Sequence, residues 1–144
     1  MPVRCDVVSQ DRIVYSGNVD MVVLPGSDGE MGILPNHSPL LTVLKFGVVT
    51  VKVKSDIMHF AVSGGVAEVN PDQVTILADA AENVDEIDIE RAQRAKLRAE
   101  EMLQKGPAKD TDEYLDIQIK LRKSTLRLDA ARRYRQSQKN RYER

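Results

Sequence analysis

The chain has 144 residues, 42% of them hydrophobic and 30% charged, with a net charge of −1. That length holds one compact domain with an appendage, or two small units, and excludes a single large enzyme fold. No apolar run approaches the roughly 20 residues that span a bilayer, and the Met1–Asp6 start lacks a basic stretch followed by an apolar one, so neither a membrane span nor a secretory signal is expected.

The front reads as strands. Val3, Cys5 and Val7 alternate with other residues, as do Val19, Met21 and Val23, and then Val49, Val51 and Val53 against Thr50, Lys52 and Lys54. Period two is the signature of a half-buried strand. Cys5 is the single cysteine, which excludes an internal disulfide and suits strand packing. Turns are expected at Ser16-Gly17-Asn18, Pro25-Gly26-Ser27-Asp28-Gly29, Ser55-Asp56, Gly64-Gly65 and Asn70-Pro71-Asp72, where the residues tolerate tight or positive-φ backbone. Short strands at this spacing predict an antiparallel β-sandwich. No crossover helix fits before Asn83, so a parallel βαβ arrangement is disfavoured.

Beyond residue 84 the composition shifts to Ala, Leu, Glu, Lys and Arg, all good helix formers. The expected division is a sandwich over 1–84 and a helical hairpin over 85–144. Asn83 with Glu86, or Asp85 with Asp88, has the spacing to cap a first helix that runs to Lys105 and ends at Gly106-Pro107 in a left-handed cap. Asp110 and Glu113 have capping-box spacing for a second helix. Tyr114, Ile117, Leu121, Ser124, Leu128 and Ala131 then form a heptad-type seam, facing Ile89, Ala92, Ala95, Ala99 and Met102 in an antiparallel hairpin. From 136 to 144 the chain has no seam and is expected to fray.

Charge separates the two parts. Residues 1–84 hold five basic against ten acidic side chains and the rest 16 against 12, with nine basic against two acidic in 122–144. A tail so basic suits an acidic partner, either nucleic acid or a protein. Nucleic acid gains nothing from aromatic platforms: there is no Trp, and Tyr134 and Tyr142 stand isolated among arginines. Catalysis finds no constellation. His37 and His59 lack the spacing of a zinc pair, Ser38 beside His37 sits in no nucleophile elbow, and neither glycine pair opens a helix as a phosphate loop does.

The run Pro25-Gly26-Ser27-Asp28-Gly29-Glu30-Met31-Gly32-Ile33-Leu34-Pro35-Asn36-His37-Ser38-Pro39-Leu40-Leu41-Thr42 resembles the signature of the epsilon subunit of bacterial and chloroplast F-type ATP synthases. Ser63-Gly64-Gly65-Val66-Ala67-Glu68-Val69, followed by Val74-Thr75-Ile76-Leu77-Ala78-Asp79, resembles the last sandwich strands of the same family. The resemblance implies a non-catalytic central-stalk subunit. It would couple rotor ring to catalytic head during proton-driven ATP synthesis and restrain ATP hydrolysis through its C-terminal helices. Implied partners are the gamma subunit, the membrane c-ring and an acidic segment of beta in the alpha/beta hexamer. The implied place is peripheral, on the cytoplasmic face of a bacterial membrane or the stromal face of a thylakoid. The alternative is a free-standing binding module whose basic tail holds nucleic acid.

Three sets of residues follow from the resemblance. A loop at Gly29, Glu30, Met31 and Gly32, with His37, matches the segment that meets the rotor ring. Arg122, Lys123, Arg127, Arg132, Arg133 and Arg135 make the inhibitory basic helix. Ile87-Asp88-Ile89-Glu90-Arg91-Ala92 fits the I/L-D-x-x-R-A pattern of ATP-binding epsilon subunits, with Glu82, Arg98 and Arg127 at further matching positions. ATP is thus implied as a regulatory ligand, with no cofactor or metal required. Asp116 stands where the pattern has a basic residue and Lys123 where it has an arginine, which weakens phosphate binding. The plainer reading of Asp88 is a helix-dipole partner paired with Arg91.

Overall fold

The computed structural model describes residues 2–142, with side chains described as far as residue 135. The expected fraying of 136–144 falls on positions whose side chains lie outside the described residues. The chain divides into two compact units, Met1–Asn83 and Val84–Arg144.

The first unit contains eight strands: β1 (Val3–Val8), β2 (Ile13–Val19), β3 (Met21–Gly26), β4 (Gly29–Ile33), β5 (Leu40–Val53), β6 (Asp56–Val69), β7 (Gln73–Ala78) and β8 (Ala81–Asn83). Hydrogen bonding links them in the order β2-β1-β7-β6-β5-β3-β4, with β8 also on β6. Every pairing is antiparallel except β1 with β7. That one parallel pair departs from the all-antiparallel expectation. It is reached through the long return from β1 to β7, with no crossover helix.

The two 14-residue strands β5 and β6 hold one register, from Leu40↔Val69 to Val53↔Asp56, with no pair at Lys45 and Gly64. There the ladder folds over. β7 bonds the far half of β6 and β8 the near half, with Asp79 and Ala80 at the break. β3 shifts register on β5 between Val23 and Gly26 at the same level. As a result β2 touches β5 and β8 without being bonded to either, and Tyr15 of β2 lies 5.6 Å from Phe60 of β6. The enclosed core takes Val3, Cys5, Val7, Val19, Val22, Leu24, Ile33, Val49, Val51, Phe60, Val62, Val69, Val74 and Ile76.

Three sequence expectations change. Gly64-Gly65 is no turn but the bend inside β6, with φ of 84° and 136°. A Cβ on Gly65 would collide with the carbonyl oxygen of Leu77, so only glycine fits. Ser16-Gly17-Asn18 lies within β2, opposite β1, because the hairpin turns earlier, where the Ser9 N–H bonds the Arg12 carbonyl at 2.9 Å. The alternation Val19, Met21, Val23 slips phase at Asp20: Val19, Val22 and Leu24 are buried, while Met21 and Val23 are half-buried. Asp20 ends one strand and accepts from the Lys54 N–H at 2.6 Å.

The second unit opens with a 3-10 turn, Val84–Glu86, followed by α1 (Ile89–Lys105) and α2 (Asp112–Tyr142), which pack together as a hairpin. Ala92 and Ala99 of α1 and Ile117, Ser124, Leu128 and Ala131 of α2 are buried along the predicted seam. Met102, expected in it, is 42% exposed. Both N-caps differ from their expected residues, and the C-cap Gly106 differs only in conformation. Asp88 itself caps α1, accepting from the Arg91 N–H at 3.1 Å. Thr111 caps α2, accepting from the Tyr114 N–H at 3.3 Å. Gly106 is extended, at φ −124° and ψ −140°, and its missing Cβ makes room for the Met102 carbonyl. Among the described residues, no helix is long and apolar enough to cross a membrane.

Candidate functional site: a docking face and a basic cleft

Register places one apolar row on the outside of the sheet. Ile13 pairs with Val8, Val8 with Leu77, Leu77 with Val66 and Val66 with Val43, so five strands each present one branched aliphatic side chain at the same level. Ile13 is 67% exposed, Leu77 54% and Val43 59%. A register shift between Val7 and Val8 brings Ile13, rather than Val14, opposite Val8. The neighbouring row is polar: Ser16 donates to Asp6 at 2.5 Å, Gln73 donates to Asp6 at 3.1 Å, and Arg4 donates to Ser16 at 2.6 Å. These polar groups satisfy each other, which leaves the apolar row as the part of the face that gains from being covered.

The residues matched to a rotor-ring contact form a strand and not a loop. Gly29, Glu30, Met31 and Gly32 belong to β4, which pairs with β3 and ends the bonded series, so its outer edge is open. Glu30 and Gly32 are exposed, and Met31 packs on the core. His37 follows on the connection to β5, half-buried, its Nδ1–H donating to the Ser38 carbonyl at 2.7 Å. Cys5 offers no chemistry, since burial, with Asp6 adjacent, pushes its thiol up to about 12.

In the second unit a cleft of about 390 Å³ opens between the helices. Ala95, Ala99, Met102 and Ile117 form an apolar wall, and Arg98, Lys120, Lys123 and Arg127 supply four cationic side chains. Spacings of three and four put Lys120, Lys123 and Arg127 on one stripe of α2. Asp116 lies on the same stripe one turn earlier, exposed, and does not line the cleft. The structure therefore joins Arg98 and Arg127, adds Lys120, which the sequence reading missed, and leaves Asp88 and Arg91 outside the lining. Ile87 and Ala92 of the motif are buried, at 2% and 0% exposure. Glu82 is in β8, half-buried and paired with Ala61.

The six residues assigned by resemblance to the inhibitory basic helix have separate surroundings. Lys123 and Arg127 line the cleft, Arg122, Arg132 and Arg133 are exposed, and Arg135 donates to the carbonyls of Asp85 and Ile87. Among the described residues, no cluster of three or more His, Cys, Asp or Glu side chains is placed to hold a metal ion.

Comparison with known proteins completes the picture. Residues 2–84 match the family model of the ATP synthase delta/epsilon chain β-sandwich domain, and residues 85–132 that of its long α-helix domain. The ATP synthase epsilon chain of Halalkalibacterium halodurans is 49% identical over 128 residues, covering 89% of this chain and 96% of that one. That of Herpetosiphon aurantiacus is 44% identical over 138 residues, covering 96% and 100%. A chain of the Euglena gracilis mitochondrial ATP synthase, solved with OSCP, F1 and c-ring, shares the fold at a TM-score of 0.71 and 24% identity, covering 92% of this chain and 82% of its own. The nucleic-acid alternative gains no support, because the basic positions 122–132 fall inside the matched helix domain. With both of its domains matched in order and its relatives covered almost end to end, the chain belongs to the ATP synthase delta/epsilon chain family, as an epsilon subunit.

Proposed function

We propose that the chain is a non-catalytic part of the central stalk, which fastens to the gamma subunit through its sandwich and restrains ATP hydrolysis through its helices. The observation that carries this is the outer row Ile13, Val8, Leu77, Val66 and Val43, exposed at Ile13, Leu77 and Val43 and half-buried at Val8 and Val66. A flat aliphatic row bordered by a self-satisfied polar row suits a protein face that is covered in the assembly. The open edge of β4, with Glu30 exposed, is the part offered to the polar loops of the c-ring, with His37 beside it in sequence. α2 carries the charge for an acidic segment of beta. Coupling of proton-driven rotation to synthesis then needs no catalytic group here, and membrane association comes through partners, on the cytoplasmic or stromal face. Leu77→Glu together with Val43→Glu tests the docking face. Both side chains already face solvent, so the fold persists, and the gamma subunit is captured at least tenfold more weakly. Unchanged capture by a folded double variant overturns the assignment.

The cleft supports a second role, ATP as a regulatory ligand. Its volume lies in the range of small-molecule sites, and it combines apolar wall and cationic rim. Arg98, Lys120, Lys123 and Arg127 would hold phosphate oxygens. Asp88 is occupied with capping and stands apart from that rim.

A further inference from the structure

Arg135 of α2 reaches back across the hairpin to the segment that precedes α1. Its guanidinium donates to the carbonyl of Asp85 at 2.8 Å and also to the carbonyl of Ile87. The acceptors are 50 and 48 residues away in sequence. Asp85 belongs to the 3-10 turn, and Ile87 immediately precedes Asp88, the cap of α1. A planar fork of five N–H donors can bridge two main-chain carbonyls that a single ammonium cannot. Both acceptors are neutral, so the contact is between an ion and two dipoles.

The buried seam is alanine alone on α1, at Ala92 and Ala99, and on α2 it alternates Ile117 and Leu128 with Ser124 and Ala131, while the cleft opens along it at Ala95, Ala99 and Ile117. Toward Arg135 packing improves, with Val84, Ile87, Leu128, Ala130 and Ala131 all buried. The guanidinium closes this packed end.

We propose that Arg135 is the clasp that holds the hairpin shut. Bound to the two carbonyls, it is withheld from any partner of α2. Released, it exposes a cation at the packed end and frees α2 to leave α1. One side chain cannot do both, so closure and engagement of an acidic surface exclude each other. This rests on the hydrolysis-restraining role proposed above and supplies its control.

Hydrogen exchange on the full chain tests the clasp, with Arg135→Ala and Arg135→Lys compared to the parent. Lysine keeps the charge and loses the fork. Both variants are expected to exchange amides of 84–92 and 117–131 at least tenfold faster, with sandwich amides unchanged as the internal control of folding. Raising NaCl from 0.05 to 0.5 M is expected to alter the parent's exchange less than twofold, because the acceptors carry no charge. Exchange within twofold of the parent in both variants overturns the proposal. So does parent-like protection in Arg135→Lys alone, which would make charge sufficient. If exchange accelerates but removal of α2 leaves hydrolysis by the assembled complex unaltered, the restraining role fails and the clasp stands.

Discussion

Asp88 receives the backbone N–H of Arg91 at 3.1 Å, so the two charged residues of the Ile-Asp-x-x-Arg-Ala motif are joined as helix cap and capped amide. The motif thereby has a structural use that needs no ligand. Ile87 and Ala92 are buried beside it and fix the entry of α1.

Replacing that cap gives the first prediction. Asp88→Ala leaves the first-turn amide unsatisfied and costs the second unit about 1 kcal/mol, whereas Asp88→Ser or Asp88→Asn costs a few tenths. Thermal unfolding followed by helical circular dichroism checks the order. Equal losses for Ala and Asn would show that the carboxylate acts by something other than accepting this bond.

Nucleotide affinity should follow the cleft. Arg98→Ala and Lys120→Ala each lower ATP affinity about tenfold, the ratio that about 1.4 kcal/mol gives. Arg91→Ala lowers it less than either. Asp116→Arg raises it by extending the cationic stripe. Calorimetry in which Arg91→Ala has the largest effect moves the site to the start of α1.

At the sandwich bend, Gly65→Ala combines a positive φ with a steric collision at the Leu77 carbonyl. A loss of about 3 kcal/mol is expected in urea unfolding. Gly29→Ala, at φ 141° but with open space around the added methyl, should cost less.

Alkali should destabilise the first unit in a manner traceable to Cys5. Its folded thiol ionises only near pH 12, against about 9.0 when unfolded, so the unfolded chain releases the proton first. Stability from this group is intact below pH 9 and falls as pH rises toward 12, by about 1.4 kcal/mol per unit at most. Tyr15, raised by burial and then by the Cys5 charge, acts in the same sense. Cys5→Ala should flatten the slope between pH 9 and 10.5, whatever it does to absolute stability. An unaltered slope assigns the effect to other groups.

Deleting 110–144 should raise hydrolysis by the assembled complex while the sandwich stays attached. Salt tests the proposed contact of α2 with an acidic partner, which should weaken with a screening length of about 8 Å at physiological ionic strength. Hydrolysis unchanged by deletion, with the subunit still bound, would remove the restraining role.

Much of the fold was legible because period and punctuation are local. Val3, Cys5 and Val7 announced β1, and Gly106-Pro107 the end of α1. The helix caps were missed by a few residues, whereas the larger failures were decided by partners distant in sequence. Gly17 looks like a turn until β1 is laid beside it, and Gly65 until the Leu77 carbonyl is seen where its side chain would go. The apolar row was invisible for the same reason, since its five residues come from five strands and align only after a bulge. In the cleft, resemblance supplied Arg98 and Arg127, and helix packing supplied Lys120. Arg135 gave no signal of its role, because its acceptors are main-chain carbonyls that any residue carries.

The bend in β5 and β6 has a mechanical side. Because β5 and β6 run on past the break, where β7 gives way to β8 as the neighbour of β6, the layers of the sandwich on either side of it are joined by continuous backbone as well as by side-chain contact. Sideways load on one layer is therefore passed to the other along covalent chain and thirteen paired positions, and sliding of the layers would require those strands to break register. The stalk role proposed above would call on that resistance to shear. Single-molecule pulling across β5 and β6 should meet one cooperative rupture, and Gly65→Ala should lower its force.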